Sequence, residues 1–211
     1  MMIFSVKEIF LTLQGEGYNS GRKAIFCRFS GCNLWNGKQK SKKDAKCNFC
    51  DTDFVGTNGK NGGKYNLSKL VEKIEEIYDC DLDFKKLVVF TGGEPLLQLN
   101  KTLIEYLKNK NFEIAVETNG TINVPDGIDW LCFSPKINTQ TVINSGNEIK
   151  IVYPQKGINL KDYEKLNFQH FYLQPLHNEN YEKNLKKTLK VIMKNPKWKL
   201  SLQTHKYLGI D

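Results

Sequence analysis

The sequence predicts an α/β protein built on a mostly parallel sheet. Three observations carry this. Short apolar, β-branched runs alternate with segments of helical period. Polar motifs recur directly after successive apolar runs, where parallel strands gather their active groups. At 211 residues, with hydrophobic residues at 40%, the chain suits a single domain able to bury a core. In order, residues 24–29, 87–91, 113–117, 130–134, 148–152, 171–173 and 199–202 read as strands. Residues 67–78 read as a helix with Leu67, Leu70, Val71, Ile74 and Ile77 in one stripe, capped by Asn66. A second helix covers 97–108, with Leu99, Leu103, Ile104 and Leu107 inward. A third covers 181–194, with Leu185, Leu189 and Ile192 on its inner face. The glycine- and asparagine-rich stretch 56–64 reads as a surface loop. Roughly six core strands are too few for a closed eight-stranded barrel, so the sheet is open or curled into a partial one.

The motifs after the strands are Thr91-Gly92-Gly93-Glu94-Pro95, Glu117-Thr118-Asn119-Gly120, Ser134-Pro135-Lys136, Gln174-Pro175 and Gln203-Thr204-His205-Lys206. One such loop means little. Five at the same end of successive strands imply a shared pocket.

No apolar run reaches the roughly 18 residues of a membrane span. Residues 1–8 lack the basic region and apolar run of a signal peptide. A cytosolic, reducing setting follows as an expectation, in which six cysteines stay free for metal or redox chemistry. The formal charge of +8 fits a lysine-rich solubilising surface; basic charge alone is weak evidence for nucleic acid. The densest patch, Lys38, Lys40, Lys42, Lys43 and Lys46, has no interleaved aromatics. It sits among the cysteines, where it would raise the potential of a bound centre or attract an acidic electron donor.

Those cysteines are Cys32, Cys47 and Cys50, the last two in Cys47-Asn48-Phe49-Cys50. Structural zinc wants about four ligands, and only three cysteines cluster. Cys27 would be a fourth, but strand alternation puts it on the same face as Ile25 and Phe29, in the core. Cys80 and Cys132 read as core or incidental cysteines. A complete four-thiolate cluster meets the same shortage. A [4Fe–4S] cluster held by three thiolates, with one iron left for a small molecule, is the remaining reading. Residue types alone leave zinc and cluster both open.

A resemblance goes further. The motifs Leu13-Gln14-Gly15-Glu16-Gly17, Arg28-Phe29-Ser30-Gly31-Cys32-Asn33-Leu34, Cys47-Asn48-Phe49-Cys50-Asp51-Thr52, Thr91–Pro95 as above, Glu117-Thr118-Asn119-Gly120, Ser134-Pro135-Lys136 and the tail around His205 span nearly the whole chain. Together they resemble the radical S-adenosylmethionine superfamily, and within it the 7-carboxy-7-deazaguanine synthases of queuosine biosynthesis. The long gap between Cys32 and Cys47 departs from the superfamily's usual spacing and matches an expansion known in that family. The resemblance implies an incomplete, modified (β/α)6 barrel over 1–211, with a cluster-binding excursion at 31–64, and a homodimer. It implies ring contraction of 6-carboxy-5,6,7,8-tetrahydropterin to 7-carboxy-7-deazaguanine with loss of ammonia. The cofactors implied are a [4Fe–4S] cluster, S-adenosylmethionine used catalytically, and Mg2+. The partners implied are the pterin and an external electron donor such as flavodoxin or ferredoxin, with no nucleic acid and no membrane.

Carried over residue by residue, the resemblance places Cys32, Cys47 and Cys50 on the cluster and Thr52 on magnesium. Phe49, Gly92, Gly93, Glu94, Glu117, Asn119, Ser134, Lys136 and Gln174 fall to the cofactor. There Glu94 is suited to accept from its ammonium and Glu117 from its ribose. Leu13, Gln14, Glu16, Arg28, Thr91, His205 and Asp211 fall to the substrate, with Glu16, Arg28 and His205 as catalytic candidates. The planar fork of Arg28 suits the pterin carboxylate. Asp51 either supports the ion or orients its loop, and His170 and His177 receive no catalytic role. Two alternatives remain at this level: an activating enzyme for a glycyl-radical protein, and a zinc-stabilised, basic RNA-binding domain.

Overall fold

The computed structural model describes residues 2–78 and 85–210. Cys80 and Asp211, both named above, lie outside the described residues. Among those described, nine strands form one sheet: β1 Phe4–Leu13, β2 Lys23–Phe29, β3 Gly63–Tyr65, β4 Lys86–Gly92, β5 Phe112–Thr118, β6 Trp130–Phe133, β7 Ser145–Tyr153, β8 Asn167–Pro175 and β9 Lys199–Leu200. Their order is β3-β1-β2-β4-β5-β6-β7-β8-β9. From β2 to β9 every pairing is parallel. On the other edge β1 runs antiparallel to both β2 and β3.

The seven strands expected from sequence are all present, although β9 stops at Leu200 and β8 runs well beyond 171–173. β1 and β3 were not expected, and β3 takes the end of the stretch read as loop. The sequence of β1 interleaves Lys7, Glu8 and Thr12 with its apolar residues, which hides a strand whose polar side chains face a cavity.

Among the described residues five α-helices connect or flank the strands. α1 Leu67–Tyr78 matches its expected span, and Asn66 Oδ1 accepts from the Lys69 amide at 2.9 Å. α2 Lys101–Lys108 begins later than expected. Pro95–Leu97 forms a separate 3-10 turn, and Asn100 Oδ1 caps α2 by accepting from Leu103 N. α3 Leu160–Glu164 precedes β8, and α4 Tyr181–Ile192 precedes β9. A final short helix, α5 Thr204–Leu208, follows β9. The links from β5 to β6 and from β6 to β7 carry no helix, which is the departure from a regular (β/α)6 pattern.

Burial explains the arrangement. Val88, Phe90, Ile114, Val116, Ile149 and Ile151 point to one face of the sheet, where Leu70, Ile74, Leu103 and Leu107 cover them. Each fully buried side chain of this kind contributes about 1.5–3 kcal/mol. Cys27 lies in that core with Ile25 and Phe29, as alternation requires, and Cys132 is buried too. α4 corrects one expectation. Its most buried positions are Asn184 and Thr188, while Leu189 is exposed. Asn184 Nδ2 donates to Leu176 O and Asn178 Oδ1, and Thr188 Oγ1 donates to Asn184 O, so polar residues turned inward find partners there.

The opposite face of the sheet begins with Ala24, Leu87, Val89 and Ala115 and becomes polar toward the carboxyl ends of the strands. At that end the sheet is laced across its opening. Gly17 N donates to Ser201 Oγ, and Thr204 N donates to Gly15 O, both at 3.0 Å.

Candidate active site

A cavity of about 420 Å3 opens at the carboxyl ends of the parallel strands. All five polar motifs contribute to its wall, as do the three cysteines.

The cysteine wall is built by loops that brace one another. Gly31 O accepts from Glu94 N at 2.9 Å, and Gly31 N donates to Phe54 O at 3.2 Å. Gly93 lies so close beneath that an added Cβ would sit 2.2 Å from Gly31 O and 2.6 Å from Cys32 Cβ. Only glycine fits there. Asn33 Oδ1 accepts from Asn119 Nδ2, tying the Cys32 loop to the end of β5. Beyond Cys32 the chain has its own small apolar anchor, where Trp35 and Phe54 pack edge to face at 5.6 Å, both buried. Lys42 stands over the Trp35 ring, while Lys38, Lys40, Lys43 and Lys46 are exposed around it.

Cys47 and Cys50 share a hydrogen bond. It favours the Cys50 thiolate, lowering that pKa to about 6, and together with burial it pushes the Cys47 thiol up. Lys136 adds a positive field that favours both thiolates. Its ammonium is held by Ser134 O and Ser134 Oγ, each at 2.7 Å. No three His, Cys, Asp or Glu side chains among the described residues converge on a point that one ion would fill. A cubane spreads its thiolates over different irons. Three thiols around one cavity wall, next to a fixed cation, supply the donor set such a cofactor needs.

Glu94 does not line the cavity. It is fully buried, where its carboxylate accepts from Leu96 N at 3.0 Å, Thr118 Oγ1 at 2.7 Å and Asn119 N at 2.8 Å. Burial raises its pKa, and the three donors oppose that. In this arrangement Glu94 joins the ends of β4 and β5 and shapes the wall that Gly92, Gly93 and Asn119 present.

Across the cavity Glu16 occupies the centre of a polar cluster. Its Oε2 lies 2.5 Å from Lys150 Nζ, and its Oε1 accepts from Gln174 Nε2 at 3.1 Å and Gln203 Nε2 at 2.9 Å. Lys150 also reaches Glu117 Oε1 at 3.1 Å, which accepts from Gln14 Nε2 as well. Burial alone would raise the Glu16 pKa. The charge and hydrogen bond of Lys150 outweigh it and keep the group below the usual carboxylate range. His205 covers Gly15, where an added Cβ would meet its ring. Arg28 Nε bonds Glu8 Oε1 at 2.7 Å, which fixes its guanidinium in the cavity wall. Leu13, Phe49, Thr52 and Thr91 complete the set of expected residues found around the cavity.

Residues 44–138 match the model of the radical SAM superfamily. Two curated proteins cover the comparison from end to end. The 7-carboxy-7-deazaguanine synthase of Burkholderia multivorans is 49% identical over 99% of this chain and 100% of its own length. That of Caulobacter vibrioides is 50% identical over the same shares. The chain belongs to the 7-carboxy-7-deazaguanine synthase family. Its fold agrees with a solved structure, "Crystal structure of QueE from Escherichia coli", at a TM-score of 0.67 and 24% identity, covering 96% of this chain and 94% of that one. Radical SAM membership implies chemistry dependent on a [4Fe–4S] cluster and S-adenosylmethionine, and the three-thiol wall of this family member suits both.

Sequence reasoning missed Lys150 and Glu148, although the signal was there. Glu148 and Lys150 stand two apart within 148–152, whose other residues are Ile149, Ile151 and Val152, so they share one face, and that face had to be a polar interior. The motif that begins at Gln203 lies at the pocket as expected, and the bond of Gln203 to Glu16 is what the fold adds.

Proposed function

We propose that this chain is a radical SAM carbon–nitrogen lyase that converts 6-carboxy-5,6,7,8-tetrahydropterin to 7-carboxy-7-deazaguanine with loss of ammonia. The observation that carries the reading is one cavity uniting the three-thiol wall with the Glu16, Arg28 and His205 wall. Full-length relatives at about half identity, all 7-carboxy-7-deazaguanine synthases, favour it over an activating enzyme for a glycyl-radical protein.

Cys32, Cys47 and Cys50 would hold the cluster, with Phe49 over its flank. Bound there with S-adenosylmethionine, it supplies the one-electron chemistry that starts hydrogen abstraction. Gly92, Gly93, Asn119, Ser134, Lys136 and Gln174 would shape the cofactor's bed, and Glu117 would accept from its ribose. Glu94 would act from behind that bed through Asn119 and Thr118. Thr52, exposed to the cavity beside Cys50, would contribute oxygen to Mg2+.

Glu16 would accept from the donor edge of the pterin, Arg28 would pair with its carboxylate, and Leu13, Gln14 and Thr91 would frame it; Asp211 is proposed for the substrate on the resemblance alone. His205 would exchange a proton with the substrate. The exposed lysines beside Cys47 suit an acidic electron donor such as flavodoxin or ferredoxin. No described helix is long and apolar enough to cross a membrane. We place the enzyme in the cytoplasm as a homodimer of single-domain chains that needs no nucleic acid.

The test is product analysis. Anaerobic enzyme with reconstituted cluster, S-adenosylmethionine, Mg2+, reductant and the carboxylated tetrahydropterin yields 7-carboxy-7-deazaguanine. Repeated absence of that product, with iron and sulfide present, overturns the proposal.

A further inference from the structure

A lysine with only 4% of its side chain exposed, lying between carboxylates, needs an account of its own. Lys150 sits on β7 at the cavity wall, with its ammonium bonded to Glu16 on one side and Glu117 on the other. The two carboxylates are far apart in sequence and meet only at this ammonium, 2.5 Å and 3.1 Å from it. Glu16 follows β1 and faces the substrate side, while Glu117 ends β5 beside the cofactor bed. We propose that Lys150 is a positioning residue that locks Glu16 and Glu117 into one unit and thereby makes substrate and cofactor binding interdependent. The assignment of the two carboxylates to two ligands rests on the function proposed above; the lock itself rests on the geometry.

The electrostatics require such a residue. Lys150 faces Glu117 from β5, Glu16, Cys132 from β6 and Glu148 from its own strand, while Glu16 faces Lys150 and His205, with the neutral Gln174 and Gln203 alongside; His205 in turn faces Lys206. Glu148 is turned the other way, accepting from Tyr18 N. Three carboxylates in one half-buried space repel one another, and without a cation between them one takes up a proton. A protonated Glu16 presents a donor where the pterin edge also presents donors. Burial works against the charge on Lys150, yet Glu117 and Glu16 together hold it fully charged. Ordering of Glu117 by a bound cofactor therefore passes through one ammonium to Glu16, and the coupling is reciprocal.

Anaerobic calorimetry with 6-carboxypterin, an unreactive oxidised analogue, tests this on the cluster-loaded enzyme kept oxidised. In the parent, S-adenosylmethionine tightens 6-carboxypterin binding several-fold, and affinity is flat between neutral and mildly alkaline pH. In Lys150→Met, affinity at neutral pH falls about tenfold, recovers as pH rises, and no longer responds to S-adenosylmethionine. Lys150→Arg retains the parent's behaviour. A methionine variant within about twofold of the parent at every pH, or an arginine variant that behaves like methionine, overturns the proposal.

Infrared spectroscopy separates this inference from the functional reading. Lys150→Met gains an additional protonated-carboxyl stretch at neutral pH, and Lys150→Met/Glu16→Gln lacks it. That holds even if the parent ignores 6-carboxypterin, a result that would sink the function and leave the lock standing. An unchanged carboxyl region sinks the lock. Should the methionine variant fail to fold, Glu117→Gln replaces it: 6-carboxypterin affinity falls without any cofactor present, and an unchanged affinity overturns the coupling.

Discussion

Lys206 Nζ lies 3.0 Å from Asp51 Oδ2, an ion pair that spans the mouth of the cavity. Asp51 follows directly on Cys50, and Lys206 is in α5, so the cysteine loop and the last helix are joined. Both side chains are partly exposed, and such a pair is worth at most about 1 kcal/mol and is screened by salt. Its effect is therefore local. Lys206→Met and Asp51→Asn should each raise amide exchange in 204–208 and in 51–54 without changing the global unfolding midpoint. Equal exchange in both variants and the parent would show that the pair does not hold the mouth.

The cysteines divide into two groups with opposite expected behaviour. Cys32→Ala, Cys47→Ala and Cys50→Ala should each cut iron and sulfide per chain after anaerobic reconstitution. Cys27→Ala should keep both at parental levels, because that thiol is fully buried in the core and burial drives its pKa well up. The small void it leaves should cost about 1–2 kcal/mol of stability. A Cys27→Ala protein that folds and yet loses iron would place a fourth thiolate on the centre.

Gly93→Ala should damage the site more than its size suggests. The new methyl group would meet Gly31 O and Cys32 Cβ, and the carbonyl is backbone that cannot swing aside. The expected result is a loss of roughly 2 kcal/mol or more, with impaired cluster loading. Gly21→Ala is a useful control, since an added Cβ there has open space and only the φ of 88° to contend with. Equal cluster content in both variants would argue against the close approach of the two loops.

His205 should be neutral at neutral pH. Burial lowers its pKa, with Lys206 and Lys150 acting in the same direction, while Glu16 opposes them without prevailing. The unfolded chain thus binds a proton on this residue more readily than the folded one. Its contribution to stability is fully present above the ordinary value of 6.5 and is lost as pH falls through the lower folded value. With three histidines in the chain, the ring resonance that vanishes in His205→Gln can be assigned. Its titration midpoint should lie below 6.5; a midpoint above that would reverse the sign.

Much of this molecule could be read from its residues, and the reasons differ by element. α1 was legible to its ends because an apolar stripe and an asparagine cap agree. The parallel strands were legible because burial on both sides leaves runs such as Leu87 to Phe90 without polar interruption. β1 was hidden because one side of it faces the cavity and carries charge. The cavity wall itself was announced by motifs that follow strands. The ionic lock behind it was not, because Lys150 becomes meaningful only when strands far apart in sequence bring Glu16 and Glu117 to it. Glu94 shows the same limit. Its motif marked it for the cofactor, while its contacts join two loop ends from within.

The hydrogen bond from Thr204 to Gly15 has a consequence for how the protein is made. A chain emerging from the ribosome folds from its leading end. The cysteine loop and most of the strands would be out well before residue 204, but the opening beside Gly15 would still lack its roof. A nascent chain could thus acquire iron and sulfur while remaining unable to enclose a reactant. Enclosure on the Gly15 side therefore waits on the segment that carries Thr204.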